Sequence, residues 1–363
     1  HPSAGNNPRP CDGTHTPTLS PARGGASKTG GIRPGFSRFS RPGSAVRRGR
    51  RNSITIIVAV RPGVVPTIER ACARLWPRGR GRGPLEILVA EGLSPSAQRN
   101  AAAREARGDI LYFLDDESLP EAPNLDVLRD CFQDPSLDVA GGPDLALPGG
   151  GPLSRASDLV QASFLGSGPV RGRYRPHRGR RAASEKDLIL CNMAVRKSRF
   201  LGTGGFREDL YPNEENEFLN RLESRNGRFL FCGDLVIRRP RPAGFGEVLQ
   251  QGFAYGRGRS RQFKIFPRPG YLPHFLPLAA ALAGAVLLPI RSGLAGLAAL
   301  VCLLAALGLG LWTQFRTGDL QAALAVPVLL VLRHAGYAAG TLAGLLTPAR
   351  PRGGEVKIRR VSL

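Results

Sequence analysis

The chain has 363 residues, with 51 Lys and Arg against 28 Asp and Glu, a formal charge of +23 and 42% hydrophobic residues. That composition excludes a wholly disordered chain, and the length suffices for one large or two ordinary domains. Six cysteines stand singly, so neither zinc-type Cys/His spacing nor a dense disulfide framework is present, and a reducing compartment fits best.

In chain order, residues 1–52 come first. Ten cations and one acid, Asp12, give this segment +9 of the total charge. It is rich in Gly, Pro, Ser and Arg and has no apolar period, so disorder is expected. It lacks the apolar run of a signal peptide. Residues 53–267 then alternate strand and helix. Ile54–Val60 is a continuous β-branched run, the pattern of a strand buried on both faces. Val64–Trp76 has helical spacing, and Leu85–Ala90 reads as a second strand. A helix follows at Ser96–Arg107, opened by Ser94-Pro95. Asp109–Leu114 is a third strand, ending in Asp115-Asp116-Glu117. Asn124–Phe132 reads as a helix and Asp138–Gly141 as a short strand. This order predicts an α/β fold, a parallel sheet with helices on both faces and ligands beyond the carboxyl ends of its strands.

Residues 268–346 read as a membrane region. Leu272–Ile290 and Gly293–Trp312 contain no Asp, Glu, Lys or Arg. Each would span about 30 Å as a helix, the thickness of a bilayer core. Only Arg291 and Ser292 separate them, which predicts a tight helical hairpin. The alternative, buried helices of a soluble domain, fits less well, because two adjacent uncharged stretches of this length are rare in soluble proteins. A third apolar stretch, 321–346, is interrupted by Arg333 and His334. With three spans the basic tail 347–363 lies outside. With two it stays inside, and 321–346 lies at the interface or re-enters.

Four stretches carry residues suited to chemistry. Asp115 and Glu117, aimed to one side by strand alternation, suit a hard divalent ion such as Mg²⁺ or Mn²⁺ that also holds a diphosphate. The same triplet also reads as a solvated acidic turn. Gln98, Arg99 and Asn100 fall in the first turn of a helix, where polar side chains could read a nucleotide, or simply be solvated. Glu214, Glu215 and Glu217 open a helix after the Gly204-Gly205 turn. There they either complement the helix dipole or supply a general base. Gln250–Arg261 combines aromatics, glycines and three arginines next to the apolar region, suited to a departing diphosphate or to anionic lipid headgroups.

In this order the pieces resemble the family 2 glycosyltransferases, over about Ile54–Lys264, with membrane helices appended. The resemblance implies a GT-A fold, a nucleotide-binding mixed α/β sheet. Val60-Arg61-Pro62 matches the family's first nucleotide-contacting loop, and Glu91 falls where an acid usually contacts the base. Arg99-Asn100 matches its "RN" helix, and Phe113–Glu117 its strand ending in the D-x-D metal motif. Asn192 and then Gly204-Gly205-Phe206 match the acceptor side. Glu214-Glu215 falls at the "ED" pair, whose second acid is the usual base. Gln251 to Arg257 sits where processive members carry Q-x-x-R-W. The resemblance thus implies a nucleoside diphosphate sugar as donor, with Asp115 and Glu117 on Mg²⁺ or Mn²⁺. Asp116 lies near the ribose or sugar, Glu215 acts as base in an inverting transfer, and Arg257 stands by the leaving group. The chain departs from the family where Glu91, Glu117 and Glu215 replace the commoner Asp, each moving a carboxylate by about 1 Å or more. The absence of an intact Q-x-x-R-W argues against a cellulose- or hyaluronan-type synthase.

Membrane attachment points to a lipid-linked or cell-envelope polysaccharide acceptor, and to membrane lipids as partners. The catalytic domain is expected on the cytoplasmic side of the inner (plasma) membrane. Nucleic acid is not an expected partner, because no recognition fold or basic–aromatic platform accompanies the charge. A degenerate transferase that binds a sugar nucleotide without turnover, and a transport component, are the alternatives.

Overall fold

The computed structural model describes residues 52–76, 85–351 and 353–361. The tail read over 1–52 lies outside them, apart from Asn52. In chain order the strands are β1 Ile54–Val60, β2 Leu85–Glu91, β3 Ile110–Asp115, β4 Leu119–Pro120, β5 Val139–Gly141, β6 Asp144–Ala146, β7 Arg180–Ala182, β8 Asn192–Arg196, β9 Phe229–Cys232, β10 Ile237–Arg239 and β11 Lys357–Arg360. The helices are α1 Thr67–Leu75, α2 Pro95–Glu105, α3 Asn124–Cys131, α4 Pro152–Ala162, α5 Phe164–Ser167, α6 Lys197–Gly202, α7 Glu214–Glu223, α8 Phe245–Ile265, α9 Leu276–Ile290, α10 Ser292–Thr317 and α11 Leu320–Leu346. The first helix starts after Pro66 rather than at Val64, because the residue before a proline avoids helical backbone and Val64 closes a turn onto the Arg61 carbonyl.

Among the described residues, eight strands form one sheet in the order β11-β2-β1-β3-β8-β5-β9-β7, and β4-β10-β6 form a small second one. The β2-β1-β3 centre is parallel, as expected. The whole is mixed, as the resemblance implied, whereas element order alone predicted a parallel sheet. β8 runs antiparallel to both β3 and β5, and the edges β7 and β11 are antiparallel to their neighbours.

Strand alternation divides the core between the two faces. Ile54, Ile56, Val58, Val60, Tyr112 and Leu114 enter one apolar cluster, while Ile57, Leu88, Leu111 and Phe113 enter the other. On the second face Phe113 packs against Phe200 and Phe206, each with centroids 5.2 Å away. Phe218 of α7 joins them at 5.2 Å from Phe200 and 5.4 Å from Phe206. This aromatic cluster seats α7 against the strand whose end carries Asp115.

Among the described residues three segments are long and apolar enough to cross a membrane, namely Pro269–Leu287, Ser292–Thr317 and Leu320–Leu346. The expected hairpin is present as α9 and α10, joined at Arg291. Helix α9 is shorter than the span read from the sequence, because Pro269–Phe275 forms a 3-10 turn before it. Helix α11 is different in kind. Of its most apolar window 44% is buried, against 11% in each of the other two. It packs on α4 and α8 through Ala156, Val160, Val248, Val326 and Leu329. At its start Asp319 accepts from Arg155 Nε at 2.5 Å, and at its end Lys264 Nζ donates to the Leu345 and Thr347 carbonyls at 3.0 and 2.8 Å. Helices α8 and α11 meet backbone to backbone at glycines. A side chain at Gly256 would overlap the Tyr337 carbonyl oxygen, and one at Gly340 the Phe253 carbonyl oxygen.

The chain then returns to the sheet. The segment read as a free basic tail contains β11, which pairs with the β2 edge. Three cations in four residues hide the strand, yet charge is tolerated on an edge strand that faces water.

Candidate functional site

Strand β3 ends at Asp115, and Asp116 and Glu117 form a turn closed by the Ser118 amide donating to the Asp115 carbonyl at 3.0 Å. The alternation expected to aim Asp115 and Glu117 together does not apply, because only the first is on the strand. The triplet is divided. Asp115 accepts from Arg99 Nη2 at 2.9 Å and from Arg239 Nη1 at 2.8 Å. Glu117 is exposed, and neither it nor the Asp116 side chain enters an ion pair among those found in the described residues.

Arg99 is 4% exposed and forks between Asp115 and Glu214, reaching the latter at 2.9 Å through Nη1. Two acidic motifs far apart in sequence therefore meet on one guanidinium. The network continues on the other side of Asp115. Asp144, fully buried, accepts from Arg239 Nη2 and Arg241 Nη1, both at 2.9 Å, and Arg241 Nε reaches Asp158 at 2.8 Å. Signs alternate from Glu214 to Asp158, so each buried charge has an opposite neighbour. Sequence reading missed Arg239, Arg241 and Asp144. The run Arg238-Arg-Pro-Arg-Pro242 shows alternating cations around prolines, a signal without meaning until β10 is placed beside β6.

The three glutamates of α7 have three fates. Glu214 is buried against Arg99. Burial pushes its carboxyl up, Arg99 pulls it down and the adjacent Glu215 charge pushes it up again, leaving it above the ordinary carboxylate range. Glu217 is held by Arg221 at 2.6 Å. Among the described residues Glu215 accepts from its neighbour's amide, Asn216 Nδ2 at 3.0 Å, and lines a cavity of about 540 Å³. Asn213, Tyr255 and Arg259 border the same cavity, as do Phe164 and Leu276. Gly258 of α8 allows this seating, since a side chain there would overlap the Pro212 carbonyl beside Asn213.

Other candidates are placed as follows. Val60 is buried at the end of β1, Arg61 and Pro62 are exposed beyond it, and Glu91 ends the neighbouring β2. Asn100 clasps the Gly204-Gly205 turn, accepting from the Phe206 amide at 2.9 Å and donating to its carbonyl at 2.8 Å. Asn192 is fully buried and donates to the Pro143 and Leu235 carbonyls at 3.1 and 2.7 Å, which ties β8 to the site's floor. Gln251 accepts from Arg333 at 3.2 Å. Arg257 stacks over Phe253 on its own helix at 5.6 Å. The arginine that reaches Asp115 on this side is Arg239.

Among the described residues no group of three or more His, Cys, Asp or Glu could hold a metal ion. Two carboxylates are nevertheless in place. Partial burial and the Asp116 charge raise Glu117, the Arg239 charge opposes them, and the charges of Asp115 and Glu247 raise it further, a net crowding that a hard cation relieves. Each Asp115 oxygen accepts one N–H and keeps a second lone pair. The set fits Mg²⁺ or Mn²⁺, which keep water and substrate oxygens beside one or two carboxylates.

No protein-family model matches the chain, and no curated protein matches it. Solved structures similar to it are glycosyltransferases. One is the mannosyltransferase PcManGT from Pyrobaculum calidifontis in complex with GDP-Man and Mn²⁺, at 17% identity and TM-score 0.45, covering 79% of this chain and 88% of that one. Another is S. aureus TarS, at 12% identity and TM-score 0.39, covering 60% of this chain and 44% of that one. A third is GalNAc-T7 with UDP, GalNAc and Mn²⁺, at 12% identity and TM-score 0.37, covering 64% of this chain and 51% of that one. The chain spans about half the length of the latter two.

Proposed function

We propose that the protein is a membrane-attached inverting glycosyltransferase of family 2 type with a GT-A sheet. It would move a sugar from a nucleoside diphosphate to a lipid-linked or cell-envelope acceptor. The observation that carries this reading is the Asp115–Arg99–Glu214 bridge, which brings the acidic end of β3 and the acidic start of α7 together at the carboxyl edge of a parallel β2-β1-β3 unit. Ligands of such sheets bind at that edge.

The donor lies over the β1 and β3 ends, near Val60, Arg61, Pro62, Glu91 and Asp116. Asp115 and Glu117 would hold a divalent cation, which when bound supplies charge neutralisation for the departing diphosphate. Arg99 fixes Asp115 relative to α7. Glu215, the α7 glutamate that faces the cavity, takes the proton of the acceptor hydroxyl. That oxygen bonds to the anomeric carbon as the bond to the diphosphate breaks on the opposite face. The apolar hairpin anchors the domain at the cytoplasmic face of the inner membrane, the side on which cytosolic sugar nucleotides are available.

Membranes containing the protein, incubated with labelled UDP- and GDP-sugars and Mn²⁺ or Mg²⁺, should yield labelled lipid or polysaccharide. Neither transfer nor hydrolysis from any donor of such a panel would overturn the reading.

A further inference from the structure

Two thiols outside the candidate site stand sulfur to sulfur. Cys131 ends α3 and Cys232 ends β9, 101 residues apart in the chain, yet their Sγ atoms are 3.4 Å apart. Both are free cysteines, 4% and 0% exposed. A disulfide needs about 2 Å between sulfurs, so a small rotation of the two side chains closes the gap. A thiol that only fills space in a core needs no second thiol against it.

Their setting favours reaction. Arg180 lies opposite Cys232 in the antiparallel β7–β9 pair, which puts both side chains on one face of the sheet. β7 is the edge of that sheet, and the Arg180 side chain is 40% exposed while it holds Asp130 at 2.5 Å. A path from solvent to the sulfurs therefore runs past a guanidinium. The hydrogen bond from Cys131 lowers the Cys232 thiol, burial opposes it and the Arg180 charge lowers it again. Cys131 is pushed up by that same hydrogen bond and by burial. Cys232 is thus the readier thiolate, and Cys131 keeps its proton.

We infer that Cys131 and Cys232 form a dithiol oxidation site that closes reversibly to a disulfide on reaction with a peroxide. The Cys232 thiolate attacks a peroxide oxygen, the O–O bond breaks and hydroxide leaves, giving a sulfenic acid. The Cys131 sulfur then bonds to the Cys232 sulfur, and the sulfenic hydroxyl leaves with the Cys131 proton as water. Two electrons pass from the thiols to hydrogen peroxide, which ends as two waters once the hydroxide takes up the proton lost by Cys232. The bond fastens α3 at its end as well as at its start, where Asn124 already donates to the Val236 carbonyl at 2.7 Å. Val236 lies in the turn from β9 to β10, so the strand that carries Arg239 is held from both sides. The site is independent of the transferase reading.

The test treats the full chain in detergent with stoichiometric hydrogen peroxide, alkylates the remaining thiols and maps the peptides by mass spectrometry. The peptides bearing Cys131 and Cys232 should appear joined, and dithiothreitol should separate them. In Cys131→Ser the Cys232 sulfenic acid should persist and be trapped by a cyclic dione. Arg180→Gln should slow the linkage by about threefold or more, and Arg180→Lys should keep most of the rate. Recovery of both wild-type cysteines as free thiols overturns the site, as does Cys232 reaching a sulfinic acid unlinked. Trapping on Cys131 in Cys232→Ser, at the rate seen for Cys232, overturns the order of attack. A linkage rate untouched by Arg180→Gln overturns the part given to the guanidinium.

Discussion

Arg359 forks onto Glu69 with both guanidinium nitrogens 2.7 Å from a carboxylate oxygen, joining residues 290 apart in the chain. That pair, with β11 on the β2 edge and Arg360 on Glu86 at 2.9 Å, returns the end of the chain to the sheet after the apolar helices. We propose from this return an even number of crossings, with α9 and α10 spanning and α11 lying along the domain. A reporter fused after Leu363 should report the same side of the membrane as one inserted in the catalytic domain. Opposite sides would require three crossings.

The same contact predicts an acid response. The hydrogen bond from Arg359 holds Glu69 below its ordinary 4.5, against a smaller opposing effect of burial. A lowered folded pKa stabilises docking above the ordinary carboxylate range, and that stabilisation is lost as pH falls through the folded value. Amide exchange of Ile358–Arg360, corrected for intrinsic rate, should be slow at neutral pH and accelerate as pH falls below the ordinary carboxylate range. Unchanged protection there would remove Glu69 as the clamp.

The two glutamates of the α7 start should separate by role. Glu215→Gln should lower transfer by about 10²- to 10⁴-fold with donor binding retained, the usual contribution of a general base. Glu214→Gln keeps a hydrogen-bonding group against Arg99 and should lower transfer far less. Equal losses, or a fully active Glu215→Gln enzyme, would move the base elsewhere.

Arg99 holds two carboxylates, so Arg99→Gln strands Glu214 in the interior. The change should destabilise the fold by about 3–5 kcal/mol, the range for removing one partner of a buried ion pair. Adding Glu214→Gln should recover part of the loss, since the stranded charge disappears. Chemical denaturation of the single and double variants measures that coupling. Strict additivity would mean that the pair does not interact.

Close approach of α8 and α11 predicts intolerance at their glycines. Gly340→Ala places a methyl on the Phe253 carbonyl and should lower stability by about 1–3 kcal/mol, as overpacking does. Gly296→Ala, where a side chain meets nothing and alanine favours the helix, should not lower the melting temperature.

Glu117→Gln should raise the Mn²⁺ concentration needed for donor binding by about tenfold or more, because only Asp115 then remains as a charged ligand. Donor binding that ignores both Mn²⁺ and this change would assign the diphosphate to arginines alone.

Local pattern was enough for the elements that carry most of the fold. The β-branched run Ile54–Val60, the acidic end of β3, the helix beginning at Glu214 and the uncharged hairpin all follow from side-chain period and from the energy of placing charge in lipid. What local pattern could not convey is pairing between distant segments. The antiparallel entry of β8, the return of Lys357–Arg360 to the β2 edge and the burial of α11 on α4 and α8 depend on partners that lie far away in sequence. The site divides the same way. Asp115, Glu214 and Glu215 are legible as acids at element ends, but Arg239 and Asp144 look like ordinary surface residues until β10 and β6 pair. Which glutamate faces the cavity, and which is tied to Arg99, was decided by tertiary packing, because one turn of helix points neighbouring side chains in different directions.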